Sequence, residues 1–204
     1  MKNGGYMKDA VILFLITLIS GFLLGGAYQI TKEPIAKATE AANQAAYKKV
    51  FPEAADFTMD DGMKAAVETC NTELLSQNFG KVSVDNALQA VDGSGTVLGY
   101  VITSRSDDSY GGTVKVSVGI KEDGTINGIE FLLISDTPGL GLKAKEPAFK
   151  GQYAGKTKES LTVTKSGNAG DGEINAISGA TITSSAVTNA VNAALYYVHH
   201  SIER

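Results

Sequence analysis

The stretch Asn175-Ala176-Ile177-Ser178-Gly179-Ala180-Thr181-Ile182-Thr183-Ser184-Ser185 gathers small residues and hydroxyls ahead of an apolar helical pattern. Gly179 has access to backbone angles closed to other residues and lets a bulky group come near the main chain. Ala180 adds little bulk, so the Thr181 hydroxyl is left accessible at a turn into a helix whose first N–H groups favour an anion. A phosphate ester on Thr181 suits such a place. The plainer reading makes Ser178 or Thr181 the N-cap of the helix that follows. Thr183 is a second hydroxyl of the same kind.

Two further loops carry more than turn chemistry. In Tyr110-Gly111-Gly112 the glycines permit a close backbone approach, and the tyrosine offers a ring face and a hydroxyl. In Ser135-Asp136-Thr137-Pro138-Gly139-Leu140-Gly141 a rigid proline, tight-turning glycines and one exposed apolar side chain follow a strand-like run. Each also reads as a plain strand connection. Gly155-Lys156-Thr157 falls short of a phosphate-binding loop because its upstream glycine, Gly151, is one residue too close. Gly93-Ser94-Gly95 has Leu98 where a dinucleotide fingerprint needs glycine.

Composition narrows the chemistry. The chain has 204 residues, 43% hydrophobic and 20% charged, with a net charge of −4 that argues against a nucleic-acid partner. A single cysteine, Cys70, gives no internal disulfide and no thiolate cluster, and reads as a small buried hydrophobe. The two histidines, His199 and His200, offer little to a metal site. No metal is expected, and no residue is assigned as a catalytic acid, base or nucleophile.

The elements that must position these loops follow from patterning. After a short tail, 1–9, the run 10–30 is almost wholly apolar and, at about 1.5 Å per residue, reaches roughly 30 Å, enough for one transmembrane helix. A cleaved signal peptide is the alternative, with Gly25-Gly26-Ala27 as small residues near its end. Lys2 and Lys8 before the run balance Lys32 and Lys37 after it, so charge gives no orientation. Gly21 and Gly25 share a helix face where a partner helix would pack.

Pro34 suits a first helical turn, and 35–51 reads as an exit helix stopped by Pro52, within a helical linker spanning 31–80. A further helix is expected over 63–75. From Lys81 the pattern alternates, predicting antiparallel strands over 87–91, 96–104, 113–120 and 125–134, with turns at Asp92-Gly93-Ser94-Gly95 and Asp123-Gly124. Val187, Ala190, Val191, Ala194, Leu195, Val198 and Ile202 lie on one face of a terminal helix. Tyr196 and Tyr197 beside that stripe read as packing. The fold class is α+β: membrane helix, exit helix, then a sheet domain over 81–204 with flanking helices.

Ser178-Gly179-Ala180-Thr181 resembles the flavin-attachment motif of bacterial redox proteins, in which FMN is joined through its phosphate to the threonine. The motif is Asp, two residues, Ser or Thr, Gly, Ala, Thr, and its Asp falls on Asn175. Over nearly the whole chain the order of elements is similar to the G subunit of the Rnf complex, the ion-translocating oxidoreductase between ferredoxin and NAD. The third subunit of the sodium-pumping quinone reductase shares the motif and the anchor.

The resemblance implies covalent FMN on Thr181, with Ser178, Gly179, Ala180, Thr183, Tyr110, Gly111, Thr137, Gly139 and Leu140 near the flavin. It further implies attachment by a separate flavin transferase and partners among the other membrane and redox subunits of the complex. The chain would then be a single-pass protein held by lipid in the cytoplasmic membrane, its flavin domain on the extracytoplasmic side. Two other readings stay open: a membrane-anchored binding or scaffold module without flavin, and an FMN-linked reductase or sensor outside an ion pump.

Overall fold

The computed structural model describes residues 4–59 and 61–202, and the chain divides into two compact units, Met1–Ala42 and Asn43–Arg204. A single helix, α1 (Gly4–Val50), runs through the segments expected as a tail, a transmembrane helix and an exit helix. Pro34 removes one rung of its hydrogen-bond ladder without ending it. The N-terminal unit consists of most of this helix. Its apolar side chains are open to the surroundings, Phe22 at 83% and Leu24 at 72%, and its most apolar window has a mean hydropathy of 2.4. Among the described residues it is the one helix long and apolar enough to cross a membrane. Its threonine hydroxyls turn back on the helix itself, Thr17 donating to the Phe14 carbonyl at 2.9 Å and Thr31 to the Ala27 carbonyl at 2.9 Å, so both donors are satisfied within the helix.

The second unit is built on an antiparallel five-stranded sheet in simple sequence order: β1 (Asp56–Thr58), β2 (Val82–Val91), β3 (Val97–Ser109), β4 (Gly112–Lys121) and β5 (Ile126–Leu133). Helix α2 (Asp61–Leu74) and helix α4 (Thr181–His200) cover one face, and the end of α1 covers the other. Between β5 and α4 lie a 3-10 turn (Gly141–Lys145), the short helix α3 (Pro147–Lys150) and a parallel pair, β6 (Thr162–Thr164) with β7 (Glu173–Asn175). The α+β architecture expected from patterning is the one observed. Strand β2 begins at Val82 rather than 87, because a bulge between Val84 and Asn86 breaks the alternation over Ser83 and Asp85. Strand β3 outruns its expected end because Arg105 and Ser106 still pair with Lys115 and Val114. The short strands β1, β6 and β7 carry too few residues to show a period.

Strand β4 is buried on both faces. Val114, Val116, Val118 and Ile120 pack against the α4 side, while Gly119 on the other face makes room for α1: a Cβ there would lie 2.9 Å from the Val50 Cβ. Tyr47, Val50, Phe51 and Ala54 close that second layer against Leu88, Ala90 and Val101.

Helix α4 carries its expected stripe into the core, with Val187, Ala190, Val191, Ala194 and Leu195 fully buried. It is buried on its other sides as well, because α2 and the β6–β7 pair wrap it. Polar side chains therefore enter that interior already matched: the Tyr153 hydroxyl lies 2.8 Å from the Thr188 hydroxyl, and Tyr197 donates to the Met63 carbonyl at 3.1 Å. Cys70 is sealed in the same core, and burial pushes its thiol up to about 11.

Asn192 clasps Leu161, accepting from its N–H at 2.8 Å and donating to its carbonyl at 2.9 Å. Both partners are buried. Replacing Asn192 with Ala strands two backbone groups without water, so the Asn192→Ala chain is expected to lose about 3 kcal/mol. The measurement is urea unfolding of the full chain in detergent by circular dichroism, and an unchanged midpoint would refute the clasp.

Candidate functional site

The first turn of α4 is where hydroxyl chemistry is sorted. Gly179 adopts φ +75°, the left-handed turn that its lack of a side chain permits, and delivers the chain into the helix at Thr181. The residue before the helix, Ala180, provides no side-chain cap, so the simple capping role considered for Ser178 or Thr181 is not what is found. Ser184 ties the turn instead. Its hydroxyl accepts from the Ile177 N–H at 2.9 Å and donates to the Ala180 carbonyl at 2.9 Å.

Thr181 and Thr183 differ in their commitments. Two helical residues at this spacing point about 200° apart around the axis. Thr183 is buried and donates to the Asp136 carboxylate at 2.6 Å. Thr181 is half-buried in the wall of a cavity, and among the described contacts its hydroxyl has no hydrogen-bond partner. A reagent entering from the cavity meets Thr181, while Thr183 is held by its carboxylate.

The cavity measures about 560 Å³ and is lined by Tyr110, Asp136, Thr137, Leu140, Gly141, Gly179, Ala180, Thr181, Ile182 and Thr183. That volume lies within the roughly 300–1,000 Å³ of small-molecule and cofactor sites. Three separate sequence regions meet there: the β3–β4 hairpin, the loop after β5 and the start of α4. Tyr110, Leu140 and Ile182 leave apolar surface exposed, at 74%, 43% and 57%. Such a rim suits a flat aromatic system.

Of the residues singled out from sequence, Tyr110, Thr137, Leu140, Gly179, Ala180, Thr181 and Thr183 line this cavity. Gly111 is outside the lining and lies against the Ser135 and Asp136 backbone, and Gly139 forms the exposed bend of its loop at φ +77°. Ser178 belongs to a neighbouring hollow with Lys165. Asn175 lies elsewhere, lining a small hollow with Glu146 and Gln152. Its backbone N–H donates to the Gln152 side chain at 2.8 Å, and its own side-chain oxygen is buried without a partner.

Sequence reasoning passed over Asp136, which joins the three regions. One of its oxygens accepts from Thr183 at 2.6 Å and from Ser109 at 3.1 Å, and the other from the Thr137 N–H at 2.7 Å. Partial burial pushes its carboxyl up, but the bonds from Thr183, Thr137, Ser109 and the Gly111 backbone outweigh this and hold it below the ordinary value. The space around it is reserved by glycines. A Cβ on Gly141 would strike the carboxylate, and one on Gly111 would strike the Ser135 backbone. A carboxylate flanked in space by bare glycines is the signal, but those glycines are far from contiguous in sequence.

Among the described residues no group of His, Cys, Asp and Glu is arranged to hold a metal ion.

The family described as FMN-binding domain matches residues 109–196, a span that contains every residue lining the cavity. The chain is 35% identical over 189 residues to the G subunit of the Na(+)-translocating ferredoxin:NAD(+) oxidoreductase complex of Acetobacterium woodii, covering 91% of this chain and 87% of that one. It is 32% identical over 192 residues to the G subunit of the ion-translocating oxidoreductase complex of Methanosarcina acetivorans, covering 94% and 93%. With the G subunit of the proton-translocating ferredoxin:NAD(+) oxidoreductase complex of Clostridium ljungdahlii it shares 30% identity over 200 residues, covering 94% of each.

In Asp136→Asn one of the two acceptor oxygens becomes an NH₂ facing donors, so the variant is expected to be about 1–2 kcal/mol less stable at neutral pH. Because the folded carboxyl is held below its ordinary value of 3.8, the wild-type advantage is full above that pH and is lost as pH falls below it. Urea midpoints of both proteins at neutral pH and at about pH 3 check this, and a gap that widens on acidification would contradict it.

Proposed function

The chain belongs to the G-subunit family of Rnf-type ion-translocating ferredoxin:NAD oxidoreductase complexes, and from that premise we propose that it is the electron-carrying subunit whose FMN is esterified to Thr181. As a subunit of a translocating oxidoreductase it needs no acid, base or nucleophile of its own for turnover. Bound FMN supplies the electron chemistry, and the protein supplies position and surroundings.

The observation that carries the reading is the contrast between two threonines on one helical turn. Thr181 offers a free hydroxyl to a cavity of cofactor size, while Thr183 spends its hydroxyl on Asp136. Esterification would replace the Thr181 hydroxyl hydrogen with phosphorus and disturb none of the described hydrogen bonds. Joining through the phosphate leaves the ring end to lie along Tyr110, Leu140 and Ile182. A covalent link also keeps the cofactor at high local concentration where a dissociated flavin would be lost.

A separate flavin transferase makes the bond. Asn175, which stands where the motif has Asp, lines a different hollow from Thr181, which supports attachment without an acid or base at that position. The apolar part of α1 anchors the chain in the cytoplasmic membrane with the flavin domain on the extracytoplasmic side. Its partners are the other subunits of the complex, whose co-purification separates this reading from an FMN-linked reductase or sensor acting alone.

Intact mass and peptide mapping of the full chain, made with and without a flavin transferase, test the proposal. The expected result is one FMN on the peptide containing Thr181, absent from Thr181→Ala and retained in Thr183→Ala. Flavin retained covalently by Thr181→Ala would overturn the assignment. A colourless wild-type chain beside a working transferase control would favour a binding module without flavin.

A further inference from the structure

Gly179 and Thr181 also border a second hollow, of about 430 Å³, whose remaining walls are Lys165, Ala176, Ile177 and Ser178. The two spaces sharing Thr181 differ in the charged residue that lines them, Asp136 in the larger and Lys165 in the smaller. Lys165 is exposed, on the loop between β6 and β7, and the described contacts give it no hydrogen-bond or ion-pair partner. Its neighbours are committed by contrast. Lys156 donates to the Gly170 and Asp171 carbonyls, each at 2.9 Å, and Lys158 pairs with the Asp171 carboxylate at 3.6 Å.

We propose that the Lys165 hollow is a phosphate subsite: the phosphate on Thr181 turns toward Lys165 and Ser178, and the ring system occupies the cavity beside Tyr110 and Leu140. This rests on Thr181 being the attachment residue. A phosphate diester keeps one negative charge at neutral pH. Asp136 repels that charge from the larger cavity, whose apolar rim suits the uncharged ring. The Lys165 ammonium attracts it as a compact point charge with three donors. Since Lys165 is exposed, the attraction weakens with salt. Opposite charges on the two sides of Thr181 thus send the two ends of the cofactor to different spaces, and Lys165 is the positioning residue for the phosphate end.

The test compares free FMN with riboflavin, which differ only in the phosphate, on the full-length Thr181→Val chain in detergent, where no ester forms. Flavin fluorescence reads both affinities at low and high salt. A single charge-assisted contact predicts that FMN binds about tenfold more tightly than riboflavin at low salt. Lys165→Met should remove most of that preference without changing riboflavin binding, and Lys165→Arg should keep it. Tyr110→Ala should weaken both ligands by the same factor. Equal affinities for FMN and riboflavin, loss of both in equal measure in Lys165→Met, or no binding of either ligand would overturn the subsite. The mass of the wild-type chain reads the covalent bond independently, so failure of either idea is recognised without the other.

Discussion

The Asp136 carboxylate is the constraint on which the candidate site depends. Its donors arrive from the end of β3, from the hairpin turn, from its own loop and from the first turn of α4. The β3–β4 hairpin closes with Ser109 opposite Gly112, while the loop after β5 and the first turn of α4 lie outside the sheet, and the carboxylate bonds that loop to both the hairpin and the helix. An ionised group is suited to the task because both oxygens accept and neither donates. The cost of partial burial is offset by four hydrogen bonds, several of them from backbone or from short side chains with little entropy to lose.

The same carboxylate divides the labour among hydroxyls that look alike in the sequence. Ser184 secures the turn, Thr183 secures the carboxylate, and Thr181 is left without structural work. A hydroxyl that holds nothing can change its chemistry without loosening the fold. Residues that hold the site together and the residue that is available for modification are therefore distinct, though adjacent.

Much of this was legible in the chain itself. The strands announce themselves through Val and Ile alternating across glycine turns, and α4 through its apolar stripe. Thr181, Tyr110, Thr137 and Leu140, which line one cavity, were singled out by their loop chemistry together with the family resemblance. Asp136 was not, since its meaning lies in donors drawn from distant positions, and an Asp beside a Pro-Gly turn is ordinary by itself. The continuity of α1 was hidden by Pro34, which starts helices more often than it sits inside them. The β2 start was hidden by a bulge, which shifts the alternation that pattern reading relies on.

The sealed thiol of Cys70 has a practical side. It is the sole cysteine of the chain, fully buried, and with its thiol raised to about 11 almost none of it is thiolate at neutral pH. Oxidants that reach the folded domain find no thiolate to convert to sulfenic acid or to cross-link. For the experimenter, the buried wild-type thiol is expected to react slowly with maleimides, which leaves a cysteine introduced on the surface as the reactive handle for a spectroscopic probe.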